Sequence, residues 1–232
     1  MIGILPAAGN ATRINGLPKM LLPIGDTFLM QRQYQNLRKA GCGNVFVGTN
    51  SDNHELVARQ CDTSYVIPFI AHSRITMSAT VISTHTQAII HRYKGNILFA
   101  MPDTYIEDEL CFEKLSTAIN GDCDVAVALF HARHDQRRKG GMCRTQYGKV
   151  IEVVDKPEET DMVWIWGALA WKPVFWEYIN ANDPHVGYAL PKAIAAGLDV
   201  RAVRMDGEFW DCGTAAEYYE LIQHLAAEKV AE

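Results

Sequence analysis

From Ile2 to Phe130, short apolar runs alternate with segments of helical periodicity. No other feature restricts the fold as strongly. Residues 2–5, 44–48, 65–68, 96–101 and 124–130 read as strands. Residues 28–40, 79–93 and 107–119 read as helices, the first carrying Leu29, Met30, Tyr34 and Leu37 on one face and stopping at Gly41. Successive strands joined by helices are parallel strands, and a parallel sheet needs both faces covered. The expected fold class is therefore α/β, a mostly parallel sheet with helices on both faces.

The rhythm changes near residue 136. A Gly-rich turn leads into residues 142–146 and 149–154, which predict a hairpin around Tyr147-Gly148. A strand at 163–171, helices at 174–181, 188–196 and 215–227, and a strand at 200–204 follow. The second half thus reads as a smaller α+β portion added to the sheet of the first. We divide the chain at about 1–135 and 136–232, two halves of a single domain, since no linker or repeat separates them. The 232 residues are nearly half apolar, which is enough for one large core.

A net charge of −5 with mixed signs excludes a general nucleic-acid binder, which needs a basic stripe. The chain shows no signal peptide and no apolar run near the roughly 20 residues of a membrane helix, so the expected setting is cytoplasmic, without a membrane partner. The six cysteines form no C-x-x-C pair and are expected as reduced thiols.

The first strand leaves through Pro6-Ala7-Ala8-Gly9, followed by Asn10, Thr12, Arg13 and, six positions later, Lys19. Small residues after a strand expose backbone N–H groups that can cradle an anion. Arg13 offers a planar fork for phosphate and Lys19 a mobile point charge. The stretch suits a polyphosphate, although it also fits a plain turn with two surface cations. Neither the P-loop pattern nor the dinucleotide G-x-G-x-x-G is present. Asp103 ends an apolar strand, where ligands of open α/β sheets gather, and could equally cap its turn. Asp211 precedes Gly213 and Thr214, a plausible turn and N-cap. Asp155-Lys156-Pro157 after a strand fits either a site or a solvated turn. Trp164, Trp166 and Trp171 fit core or interface positions. His131, His134 and the basic cluster Arg137-Arg138-Lys139 read as a charged surface loop.

Taken in order, Gly9-Asn10-Ala11-Thr12-Arg13, Pro18-Lys19, Leu22-Pro23, Asp103, Asp155-Lys156-Pro157 and Trp210-Asp211-Cys212-Gly213-Thr214 resemble the landmarks of the sugar-1-phosphate nucleotidyltransferases, in the thymidylyltransferase and uridylyltransferase style. The likeness runs from Ile2 to about Tyr219. It implies a Rossmann-like fold and transfer of a nucleotidyl group from a nucleoside triphosphate to a sugar 1-phosphate, releasing pyrophosphate. It also implies roles for individual residues. Arg13, Lys19 and Asp103 would be catalytic. Ala7, Ala8, Gly9, Asn10, Thr12, Ser78 and Ala79 would bind nucleotide. Gly141, Asp155, Lys156 and Gly167 would bind the sugar phosphate, and Asp103 and Asp211 would hold Mg²⁺. Ala11 stands where the family has Gly, Thr104 where a residue such as Asn follows the strand-end Asp, and Asp155 where Glu is usual. A non-sugar acceptor such as phosphocholine or a polyol phosphate, and a non-catalytic nucleotide-sugar-binding subunit, are the competing expectations. Relatives commonly form dimers or tetramers, so the resemblance is compatible with a homo-oligomer.

Overall fold

The computed structural model describes residues 1–9, 18–71 and 76–231. Its strands are β1 (Ile2–Pro6), β2 (Pro23–Ile24), β3 (Thr27–Phe28), β4 (Asn44–Thr49), β5 (Val66–Ile70), β6 (Ile97–Ala100), β7 (Thr104–Ile106), β8 (Val125–His131), β9 (Gly141–Gln146), β10 (Lys149–Asp155), β11 (Trp164–Trp171), β12 (Val200–Arg204) and β13 (Phe209–Asp211). Its helices are α1 (Leu29–Lys39), α2 (His54–Ala58), α3 (Met77–Ile90), α4 (Cys111–Asn120), α5 (Ala189–Ala195) and α6 (Ala215–Ala231).

Among the described residues nine strands form one sheet in the order β5-β4-β1-β6-β11-β8-β12-β10-β9. The first half contributes the expected parallel run, with β4 pairing β5 and β1 pairing both β4 and β6. The second half enters the same sheet. β11 inserts antiparallel between β6 and β8, β12 lies parallel to β8, and the β9–β10 hairpin closes one end. The sheet is thus an α/β sheet with antiparallel strands where the later portion joins.

The alternation of side chains along each strand sends residues to two separate cores. Leu5, Val45, Val47 and Leu98 pack with α1 and α4, while Ile4, Phe46 and Phe99 pack with α3 and α5 on the other face. A third cluster joins Trp210 and Tyr105 to Leu221 of α6.

Three local expectations change. The helix expected over 107–119 begins at Cys111, because Glu107 and Asp108 turn their carboxylates to backbone N–H groups of Glu208 and of Leu110 and Asp206. The helix expected over 174–181 is a 3₁₀ segment, Pro173–Tyr178, whose one buried side chain is Phe175. α3 starts earlier than expected because Thr76 caps it, its Oγ1 accepting the Ala79 N–H at 2.9 Å. No helix among the described residues is long and apolar enough to cross a membrane. The six cysteines are free, and burial pushes the Cys42, Cys143 and Cys212 thiols up to about 12.

Candidate active site

β1 delivers Ala7, Ala8 and Gly9 at the carboxyl end of a central strand, where the sheet gathers ligands. Their carbonyls are held by two side chains from the turn after β4. Asn53 Nδ2 donates to the Ala7 carbonyl at 2.8 Å, and Asn50 Nδ2 donates to that of Ala8 at 3.0 Å. Both asparagines are buried. Sequence reading passed over them, although an N-x-x-N pair directly after an apolar strand is a usable signal. Asn10, Thr12 and Arg13 lie outside the described residues.

Lys19 opens a single 3₁₀ turn, Lys19–Leu21, and brings its Nζ to 4.0 Å from Asp103 Oδ2. Asp103 sits in the turn between β6 and β7 with its side chain 29 % exposed. Burial pushes its carboxyl above the usual carboxylate range, and the Lys19 ammonium partly opposes this. Behind it, Gln33 Nε2 donates to the Thr104 carbonyl at 2.7 Å, and Thr104 Oγ1 donates to the Met101 carbonyl at 2.9 Å. These bonds fix the turn through Thr104, one of the residues at which the sequence departs from the pattern it resembles.

Asp103 and Asp211 are adjacent. β7 and β13 form a two-stranded antiparallel ladder in which Asp211 stands opposite Thr104, and the Cys212 N–H donates to the Asp103 carbonyl at 3.1 Å. Both carboxylates raise the pKa of the Cys212 thiol beside them. Two carboxylates on neighbouring backbone, Asp103 with the Lys19 ammonium at 4.0 Å, are hard oxygen donors. That donor set suits a hard divalent ion.

Asp211 also lines a cavity of about 220 Å³, together with Asp155, Lys156, Gly141 and Trp166. Asp155 ends β10 opposite Gly141 at the start of β9. Its carboxylate accepts from His185 Nε2 and from Tyr188 Oη, each at 3.1 Å. Neither partner was foreseen, since they lie 30 and 33 residues away with no motif around them. Lys156 is exposed and holds a left-handed backbone at φ +46°, its N–H donating to the Gly140 carbonyl at 3.0 Å. Trp166 packs directly over Gly141, where a Cβ would fall 2.1 Å from the indole Nε1. Gly141→Ala is therefore expected to cost about 1–3 kcal/mol by overpacking. It should appear as a lowered thermal midpoint, and an unchanged midpoint would contradict this packing.

The remaining expected site residues are distributed less simply. Gly167 is not among the residues lining the cavity. It lies at a register shift in β11, and a Cβ there would come within 2.9 Å of the Phe130 and Phe209 rings, so its small size serves packing. Ser78 and Ala79 are buried in the first turn of α3, whereas their neighbour Met77 lines the cavity. The helix start is tied to the acceptor wall, because the Met77 N–H donates to the Pro184 carbonyl at 3.0 Å beside His185. Trp171 is core, stacked edge-on with Trp176, and Trp164 is half-buried under Arg204.

Burial lowers the pKa of His185 below its ordinary 6.5, against the pull of Asp155, and lowers that of His85 as well. The folded state disfavours the imidazolium, so the unfolded chain takes up protons first as pH falls through about 6.5. Stability should decline from there toward the depressed pKa values. Thermal midpoints at pH 7.5 and 5.0 should differ less in His185→Gln than in the wild type; equal differences would contradict the assignment.

The chain matches the MobA-like NTP transferase domain over residues 3–205 and belongs to that family. No curated protein sequence matches it. Among solved structures it is similar to a UDP-glucose pyrophosphorylase complexed with UDP-glucose, at TM-score 0.79 and 17% identity over 98% of this chain and 100% of that one. It is similar to a UTP-bound UGPase from Acinetobacter baumannii, at TM-score 0.78 and 16% identity over 98% and 94%. It is also similar to the inositol-1-phosphate CTP transferase from T. maritima, at TM-score 0.76 and 12% identity over 95% and 94%. The resemblance read from the sequence holds at the level of family and fold: this is a nucleotidyltransferase.

Proposed function

We propose that the protein joins a nucleoside triphosphate to a sugar 1-phosphate, giving a nucleoside diphosphate sugar and pyrophosphate. The observation that carries this reading is the β7–β13 ladder. It brings the chain at Asp103 next to Asp211, and Asp211 lines a cavity together with Asp155 and Lys156. In this reading the part before about residue 135 holds the triphosphate, and the part after it holds the acceptor, within one cytoplasmic enzyme.

Lys156 would hold the acceptor's phosphate, and Asp155, oriented by His185 and Tyr188, would accept from its hydroxyls. A phosphate oxygen of the acceptor attacks the α-phosphorus in line. The bond from that phosphorus to the bridging oxygen breaks, and its electron pair leaves with pyrophosphate. The attacking phosphate is anionic at neutral pH, so no side chain need remove a proton. Lys19, with Arg13, would balance the charge that collects on the leaving pyrophosphate. Ala7, Ala8 and Gly9, with Asn10 and Thr12, would cradle the triphosphate. Asp103 and Asp211 would hold Mg²⁺, which when bound neutralises phosphate charge and aligns the reacting oxygens. The residues about Met77 would face the base.

Pyrophosphate release with Mg²⁺ tests this across five nucleoside triphosphates and a panel of hexose, heptose and polyol phosphates plus phosphocholine. The polyol phosphates belong in the panel because one similar structure is, by name, an inositol-1-phosphate CTP transferase. Release with a sugar 1-phosphate is expected. Release only with phosphocholine or a polyol phosphate would move the acceptor class, and silence with every pair would contradict catalysis.

A further inference from the structure

The loop between β8 and β9 is bound to β13 by Arg133 and Gln136, two residues that also line the cavity described above. The Arg133 guanidinium lies over the Trp210 indole, 3.8 Å from the ring centroid. Its Nη1 donates to Glu208 Oε2 at 2.7 Å and to the Phe209 carbonyl at 3.3 Å. Gln136, only 7 % exposed, donates from Nε2 to that same carbonyl at 2.6 Å, and its Oε1 accepts the Arg133 N–H at 2.9 Å. Glu208, Phe209 and Trp210, the three residues before Asp211, are thus all gripped from one loop.

At its other end this loop supplies the Gly140 carbonyl that receives the Lys156 N–H. The cluster of Glu107, Glu208 and His224 belongs to the same brace. Glu107 accepts from the Glu208 N–H and from His224 Nε2, each at 2.6 Å, which pins α6 to β13.

β13 is three residues long and, among the described residues, has one ladder partner, β7. Two short strands alone hold a carboxylate loosely, whereas octahedral coordination needs donors placed to within fractions of an ångström. We propose that Arg133 is a positioning residue, assisted by Gln136, which fixes Asp211 against Asp103 and in register with Lys156. The inference rests on the reading above, in which the two aspartates hold a divalent ion. The grip on Phe209 and Trp210 requires the guanidinium's fork and plane, so lysine replaces it only in part.

The test is Mn²⁺ binding in the presence of inorganic pyrophosphate, read by electron paramagnetic resonance, which needs neither the true base nor the true acceptor. The proteins are the wild type, Arg133→Met, Arg133→Lys, Gln136→Leu and Arg144→Met, each checked by circular dichroism. Arg144 forms an exposed ion-pair cluster with Glu152 and Asp161 away from the cavity, so it controls for loss of a bonded arginine. Arg133→Met should weaken Mn²⁺ binding by about tenfold or more, the size of loss that follows when the support of a metal ligand is removed. Arg133→Lys should recover part of this, and Arg144→Met should equal the wild type. Wild-type affinity in a folded Arg133→Met protein would overturn the proposal. Should that variant fail to fold, Gln136→Leu decides: weakened binding supports the brace and unchanged binding overturns it. No Mn²⁺ uptake by the wild type would overturn the metal reading and the brace with it.

Discussion

Asp103→Asn is expected to lower turnover by at least about 10³-fold, while the folded protein becomes no less stable than the wild type. The two halves of this result have one cause. The Asp103 carboxylate is partly buried, with the Lys19 ammonium at 4.0 Å, and burial favours its protonated form. At neutral pH its charge therefore works against folding, and an isosteric neutral amide removes that penalty. A turn-capping aspartate would behave in the opposite way, losing stability when its oxygen is exchanged. Among the described residues, the Asp103 side chain accepts no hydrogen bond from another residue's backbone. Thermal unfolding and a pyrophosphate-release assay on the same preparation check both halves. A near wild-type rate with Mg²⁺ would remove Asp103 from the reaction.

Lys156 gives the second large effect, and there a pair of substitutions separates charge from backbone strain. Its φ of +46° is left-handed, a conformation costing a non-glycine residue about 1–2 kcal/mol. Lys156→Ala keeps the strain and loses the cation. Lys156→Gly loses the cation and relieves the strain, against a modest gain in unfolded-state freedom. Both should lower kcat/KM for the phosphate acceptor by about 10- to 100-fold, the worth of one charged hydrogen bond of about 1.5–3 kcal/mol. Only the alanine variant keeps the strain, so the glycine variant should be the more stable of the two. Unchanged kcat/KM in both would return Asp155-Lys156-Pro157 to a solvated turn.

The sheet and the main helices were legible because each carries its own local signal. Apolar runs such as Ile97–Ala100 specify buried strands, and the spacing of Leu29, Met30, Tyr34 and Leu37 specifies one face of α1. Strands β7 and β13 carry no such signal. Each has three residues, too few for a period, and their partnership spans about a hundred residues of chain. Yet that ladder is what brings Asp103 beside Asp211, so the most consequential geometry of the candidate site was invisible to local pattern. The residues that orient the site share this property. Asn50 reaches Ala8 across 42 positions, His185 reaches Asp155 across 30, and Gln136 reaches Phe209 across 73. Polar side chains whose partners lie that far off obey no periodicity. The basic loop read from the sequence as a charged surface turn is exposed at Arg138 and Lys139, and the Lys139 ammonium reaches Glu217 at 3.1 Å. Gly167 shows the reverse case, a glycine whose small size serves the Phe130–Phe209 packing.

The central claim is that the α-phosphorus of a nucleoside triphosphate is transferred to a phosphate monoester. Phosphorus-31 NMR of a reaction with the preferred triphosphate and acceptor follows every phosphorus at once. The account predicts a pair of coupled doublets from an unsymmetrical diphosphate diester, appearing in step with inorganic pyrophosphate. Transfer of the γ-phosphorus, leaving a nucleoside diphosphate, or hydrolysis without a new diester, would contradict it.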